Sequence, residues 1–120
     1  MSYFCDTYAL IEIFNGNPNY EKFKEQGIYI SLMNFYEFYY ILLRDFNEKT
    51  AEYWRNKLDL VLIEITEEDV IEASKFRLKN IKKKLSFIDC LGYALALKGN
   101  IKFLTGDSKF ENMKNIEFVK

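Results

Sequence analysis

Four acidic side chains stand where a charge is poorly served by its neighbours. Asp6 is the only charged residue between Ser2 and Ile11, and Glu37 is the only one from Ile28 to Leu43. Asp89 is alone between Leu85 and Leu97, and Asp107 closes the turn Thr105-Gly106-Asp107. An ionised carboxylate in an apolar setting is costly unless a cation or hydrogen-bond donors compensate it. Few lysines lie nearby in sequence, so a hard divalent cation is the natural partner. Oxygen donors suit Mg²⁺ or Mn²⁺.

The chain has no histidine. Ser-His-Asp and Cys-His catalysis, His-ligated zinc and an imidazole base are therefore excluded. Cys5 and Cys90 are far apart, form no CxxC motif and sit among apolar neighbours. They read as small buried hydrophobes in a reducing compartment. Carboxylates, lysines and hydroxyls must carry the chemistry.

Each acid also has an ordinary structural reading. Asp6 suits the N-cap of a helix beginning at Thr7, and Asp89 suits the third position of a capping box opened by Ser86. Asp107 can be a turn residue, and Glu37 can pair with Arg44. Thr66 to Asp69 shows the same capping pattern in a charge-rich, solvated-looking helix start. What favours a joint site is that all four acids are expected near one end of a sheet.

The elements that would place them follow from periodicity and turn signals. Strands are expected at Ser2–Cys5, Ile28–Ile30, Leu60–Ile63, Lys102–Leu104 and Glu117–Val119. Helices are expected over Thr7–Phe14, Tyr20–Gln26, Ser31–Asp45, Glu48–Leu58, Thr66 to about Lys84, and from Ser86 to a stop at Gly99-Asn100. Strands separated by helices imply parallel crossovers, hence a three-layer α/β/α sandwich with a mainly parallel central sheet. Ligands in such folds gather at the carboxyl ends of the strands, where Asp6 and Asp107 fall.

Of the 120 residues, 49% are hydrophobic and 29% charged, which suits one globular domain over residues 1–120. The 17 basic and 18 acidic side chains give a net charge of −1 and argue against a broad electrostatic grip on nucleic acid. No signal peptide and no membrane-length apolar run is visible, so the chain reads as cytoplasmic with no membrane partner.

The residues singled out above resemble those of PIN-domain ribonucleases, in particular the small VapC-like toxins of toxin–antitoxin pairs. The likeness spans essentially the whole chain. It rests on Tyr3-Phe4-Cys5-Asp6-Thr7, on Ser31 followed by Glu37, on Leu85-Ser86-Phe87-Ile88-Asp89, and on Thr105-Gly106-Asp107-Ser108-Lys109-Phe110. It implies that Asp6, Glu37, Asp89 and Asp107 hold one or two Mg²⁺ or Mn²⁺ ions and hydrolyse RNA phosphodiester bonds, with Thr105 and Thr7 in support. It also implies a homodimer and an antitoxin protein as partner. Many relatives carry a further aspartate where this chain has Lys109. A PIN-like fold retained as a non-catalytic protein- or RNA-binding module is the competing reading.

Two surface features remain. Lys79, Lys82, Lys83 and Lys84 either complement a helix C-terminus or form a lip for RNA phosphates, with Lys82, Lys83 and Lys84 nearest the site. Phe35, Tyr36, Phe38, Tyr39 and Tyr40 go around their helix and cannot all enter one core, so part of that surface is expected to meet another chain.

Overall fold

The computed structural model describes residues 1–120. Its elements are β1 (Ser2–Cys5), α1 (Thr7–Phe14), β2 (Gly27–Ser31), α2 (Leu32–Asp45), α3 (Glu48–Lys57), β3 (Leu60–Ile63), α4 (Glu67–Lys79), α5 (Phe87–Lys98), β4 (Lys102–Thr105) and β5 (Ile116–Phe118). Short 3₁₀ turns occupy Pro18–Phe23, Ile81–Lys83 and Ser108–Phe110. No helix is long and apolar enough to cross a membrane.

The strands form one sheet in the order β3-β2-β1-β4-β5, and every pairing is parallel. The chain steps outward from β1 through β2 to β3, then α4 and α5 carry it back to β4 on the other side of β1. The strand order therefore reverses between β1 and β4. That is where a crevice opens at the carboxyl ends of a parallel sheet.

Alternation along the central strands supplies both layers of core. Phe4 and Phe103 face α4 and α5, joining Leu91, Tyr93 and Leu95, whereas Cys5 and Leu104 face the opposite side with Leu10, Ile13, Phe38 and Leu42. Gly92 lets α5 approach the sheet closely: a Cβ there would meet the Phe4 ring at 2.8 Å and the Phe103 ring at 3.2 Å.

Three expectations need correction. The helix expected at Tyr20–Gln26 is a 3₁₀ turn over Pro18–Phe23, with Asn17 capping Asn19 N–H. Pro18 opens this turn, because its fixed φ suits a first helical position. The helix expected to reach Lys84 stops at Lys79, and Lys84 itself is left-handed with φ 56°. Asn80 ends the helix by donating from Nδ2 to the Phe76 carbonyl at 2.9 Å. Lys82 and Lys83 therefore lie on a separate turn and do not complement the last turn of α4, which carries Arg77 and Lys79. Asp69, expected to be solvated, is buried and paired with Lys98 at 3.0 Å.

Candidate active site

Asp6 leaves β1 and caps α1 in one step. Its Oδ1 accepts the Ala9 N–H at 2.8 Å and its Oδ2 accepts the Thr105 hydroxyl at 2.5 Å. Its own N–H donates to the Leu104 carbonyl at 3.3 Å, which draws the ends of β1 and β4 together. The side chain is 2% exposed. Burial pushes its pKa up from 3.8, the Thr105 and Ala9 hydrogen bonds pull it down, and the negative charges of Asp89 and Asp107 raise it again, leaving it at about 7.

Thr105, fully buried at the end of β4, links two acids. It donates to Asp6, and its Oγ1 accepts the Asp107 N–H at 3.0 Å. Asp107 then caps the following 3₁₀ turn, Oδ1 accepting the Lys109 N–H at 3.0 Å. Asp89 sits in the first turn of α5, where its Oδ2 accepts the Ser86 N–H at 3.1 Å and Ser86 Oγ accepts the Asp89 N–H at 3.0 Å. The capping readings of Asp6 and Asp89 and the turn reading of Asp107 are thus realised, and each of these hydrogen bonds positions an acid.

Glu37 reaches the group from α2. Its Oε1 accepts the Thr7 hydroxyl at 2.6 Å, not an Arg44 contact; Arg44 instead pairs with Asp45. Asn34, which sequence reasoning passed over, completes this arm. Its Nδ2 donates to Thr7 Oγ1 at 3.3 Å, and its Oδ1 accepts from Ser31 Oγ at 2.7 Å. The available signal was Asn34 three residues after the helix-capping Ser31 and one turn before Glu37, an amide in an apolar stretch.

Asp6, Asp89 and Asp107 therefore interact as one cluster, while Glu37 joins through Thr7, the residue after Asp6. None of the four forms an ion pair with lysine or arginine. In chemistry the donor set fits a hard divalent cation: all oxygen, like-charged and uncompensated. In spacing it is not a closed cage, since no three acidic or cysteine side chains are grouped tightly enough to hold a metal ion. Asp89 and Asp107 each give one oxygen to a cap, which holds them toward their own backbone.

A sheet reversing between β1 and β4, with acids at the ends of both strands and at the start of α5, defines a small α/β protein with carboxylates gathered at one end of its sheet. The sequence matches the PIN domain family over residues 3–116, and the chain belongs to that family. None of the curated proteins compared with it matches by sequence. Among solved structures of the same fold is the Mycobacterium tuberculosis VapC20, a toxin that cleaves the sarcin–ricin loop, with TM-score 0.82 and 16% identity, covering 98% of this chain and 99% of that one. A toxin–antitoxin complex from Klebsiella pneumoniae superposes with TM-score 0.77 at 18% identity, covering 96% and 95% of the two chains. VapBC2 of Rickettsia felis, solved with a promoter DNA fragment, gives 0.75 at 19%, covering 99% and 98%. The fold is VapC-like along its whole length.

Proposed function

We propose that the protein is a metal-dependent endoribonuclease acting as the toxin of a toxin–antitoxin pair. The observation that carries this reading is Asp6: a buried carboxylate coupled to two further acids, with no cation beside it. Family membership and the VapC-like fold support it. Asp6, Asp89 and Asp107, with Glu37 alongside, would hold one or two Mg²⁺ or Mn²⁺ ions. A bound divalent ion supplies a water of lowered pKa and positive charge for the phosphate oxygens. The chain's own residues do the positioning. Thr105 orients Asp6 and holds the Asp107 amide, Thr7 orients Glu37, and the Ser86 cap holds Asp89.

The deciding experiment is incubation of purified protein with total cellular RNA, with new ends mapped. Discrete cleavage is expected with Mg²⁺ or Mn²⁺ and loss of cleavage with a chelator. A protein that leaves RNA intact with either ion, while binding RNA or a partner, would instead be the non-catalytic module.

Lys82, Lys83 and Lys84 form a lip beside these acids, tied to them by Lys109, whose Nζ donates to the Lys84 carbonyl at 3.2 Å. Replacing the three by Gln should make the salt dependence of RNA affinity shallower by about 2 in log–log slope, at roughly 0.7 per phosphate contact on a single strand. An unchanged slope would return them to the solvated surface.

Partner surfaces follow from α2. Phe38 enters the core and Phe35 and Tyr39 pack beside it, but Leu32, Tyr36, Tyr40 and Leu43 are exposed along one stripe. Such a stripe suits a homodimer interface, with an antitoxin segment as the second protein partner. Sedimentation should show a dimer for the native chain and a monomer for Tyr36→Glu combined with Tyr40→Glu.

A further inference from the structure

A sizeable groove lies away from the acids. It runs between α4, α5 and the segment before β5, and encloses about 1030 Å³. Its rim carries Lys75, Lys79, Lys98 and Lys114 against a single acid, Glu72. Lys98 is engaged by Asp69 at 3.0 Å, and Lys75 reaches Glu72 only at 3.7 Å with both side chains exposed. Lys79 and Lys114 belong to no ion pair. A chain of net charge −1 thus concentrates uncompensated positive charge along one groove.

The floor is apolar and firm. Phe76 and Tyr93 stack with centroids 4.7 Å apart, and Leu97 and Met113 extend the surface. The Tyr93 hydroxyl donates to the Lys114 carbonyl at 2.7 Å, which pins the segment bearing Lys114 against α5. Lysines around an apolar floor suit a single nucleic-acid strand, whose phosphates meet the rim while sugars and bases lie on the partly exposed Phe76 ring, with Tyr93 buried behind it.

Its placement connects it to the acids. The Asp69–Lys98 pair joins the start of α4 to the end of α5. Arg77, near the end of α4, donates from Nε to the Leu85 carbonyl just ahead of α5 at 3.1 Å. The two helices therefore lie side by side in opposite directions. The Lys79 end of the groove adjoins the Ile81–Lys84 turn, which leads to Asp89. Positive charge continues from the lip beside the acids into the groove.

We propose that this groove is an accessory RNA-binding site, holding the sugar–phosphate backbone of the strand that leads away from the catalytic acids. The choice of RNA as occupant rests on the ribonuclease reading; the site itself rests on the groove's charge and floor.

The test measures binding of oligouridylates of roughly 6 and roughly 24 nucleotides in an uncleaving Asp6→Asn background. A second arm offers a polyglutamate peptide. Changing Lys75, Lys79 and Lys114 together to Gln should weaken the long RNA about tenfold, make its salt slope shallower by about 2, and leave the short RNA unaffected. Changing Lys22, Lys49 and Lys57 to Gln removes the same net charge elsewhere and should leave both RNAs unaffected. Equal loss in the two triple variants, unchanged binding of the long RNA, or loss of peptide binding alone overturns the proposal; the last outcome makes the groove a site for an acidic protein segment. Cleavage of cellular RNA by the native chain is scored separately. Its absence overturns the ribonuclease reading, while the binding arms still decide whether the groove takes RNA.

Discussion

Asp6→Asn should abolish RNA cleavage while making the metal-free protein more stable at pH 8. On the proposed metal-dependent mechanism, loss of activity is expected to exceed about a hundredfold, because asparagine lacks the charge with which a carboxylate would hold a cation. The gain in stability follows from the raised pKa. Between the ordinary value of 3.8 and the folded value of about 7, the native protein keeps a proton on Asp6 that the unfolded chain has released. Stability therefore falls as pH rises through that window, by roughly 4 kcal/mol in total, and the loss is complete above it. Asparagine carries no charge at any pH and escapes this loss. Part of the gain is offset because Asn lacks the second acceptor that the Thr105 hydroxyl uses. A net gain of about 2 kcal/mol corresponds to a rise in melting temperature of roughly 5–10 °C at pH 8. At pH 5, just above the unfolded value of 3.8, only about 1.6 kcal/mol of that loss has accrued, which roughly matches the offset from the lost acceptor, so the two proteins should melt together. Melting curves with chelator at both pH values check this, and a variant destabilised at pH 8 would contradict it.

Gly106→Ala should lower stability and activity together. A Cβ at this position would come closer than 3.0 Å to the Tyr8 ring and to the Val119 carbonyl oxygen. The ring can turn aside, but the carbonyl cannot. Val119 N–H donates to the Thr105 carbonyl at 2.9 Å, and the Val119 carbonyl accepts the hydroxyl of the fully buried Tyr20 at 2.5 Å. Relief must come from moving Gly106 itself, and with it Thr105 and Asp107 on either side. A cost of about 1–3 kcal/mol is expected, with a fall of roughly 5–15 °C in melting temperature. Cleavage should fall more than the folded fraction does, because the displaced residues orient Asp6. Gly16→Ala is the informative contrast. It is strained by its φ of 74° but meets no atom within 4 Å, so it should cost about 1 kcal/mol and leave activity unchanged.

Much of this fold is legible in the chain because its signals are local. The runs Ser2–Cys5 and Leu60–Ile63 become strands with those bounds, and Thr7–Phe14 becomes the helix its spacing implies. Ser86 and Asp89 form the capping box their separation suggests. Signals fail where two local preferences compete. Pro18 starts a 3₁₀ turn ahead of Tyr20–Gln26, whose own residues suggest a helix, and the lysines after Asn80 have helical propensity that the Asn80 cap overrides. The burial of Asp69 is not visible in its own neighbourhood because its partner, Lys98, lies on another helix.

The candidate site divides in the same way. Residue type and neighbourhood single out Asp6, Glu37, Asp89 and Asp107, since an acid without local counter-charge is visible in any linear reading. The order of strands in the sheet is not visible there. Only the return of the chain to the far side of β1 sets Thr105 against Asp6, a contact spanning 99 positions. The same holds for Asn34 and Thr7, and for the lysines gathered from α4, α5 and the segment before β5. Helix periodicity and capping act over three or four residues, so the chain states them directly. Electrostatic coupling acts through space, and which charges meet was decided by how the layers packed.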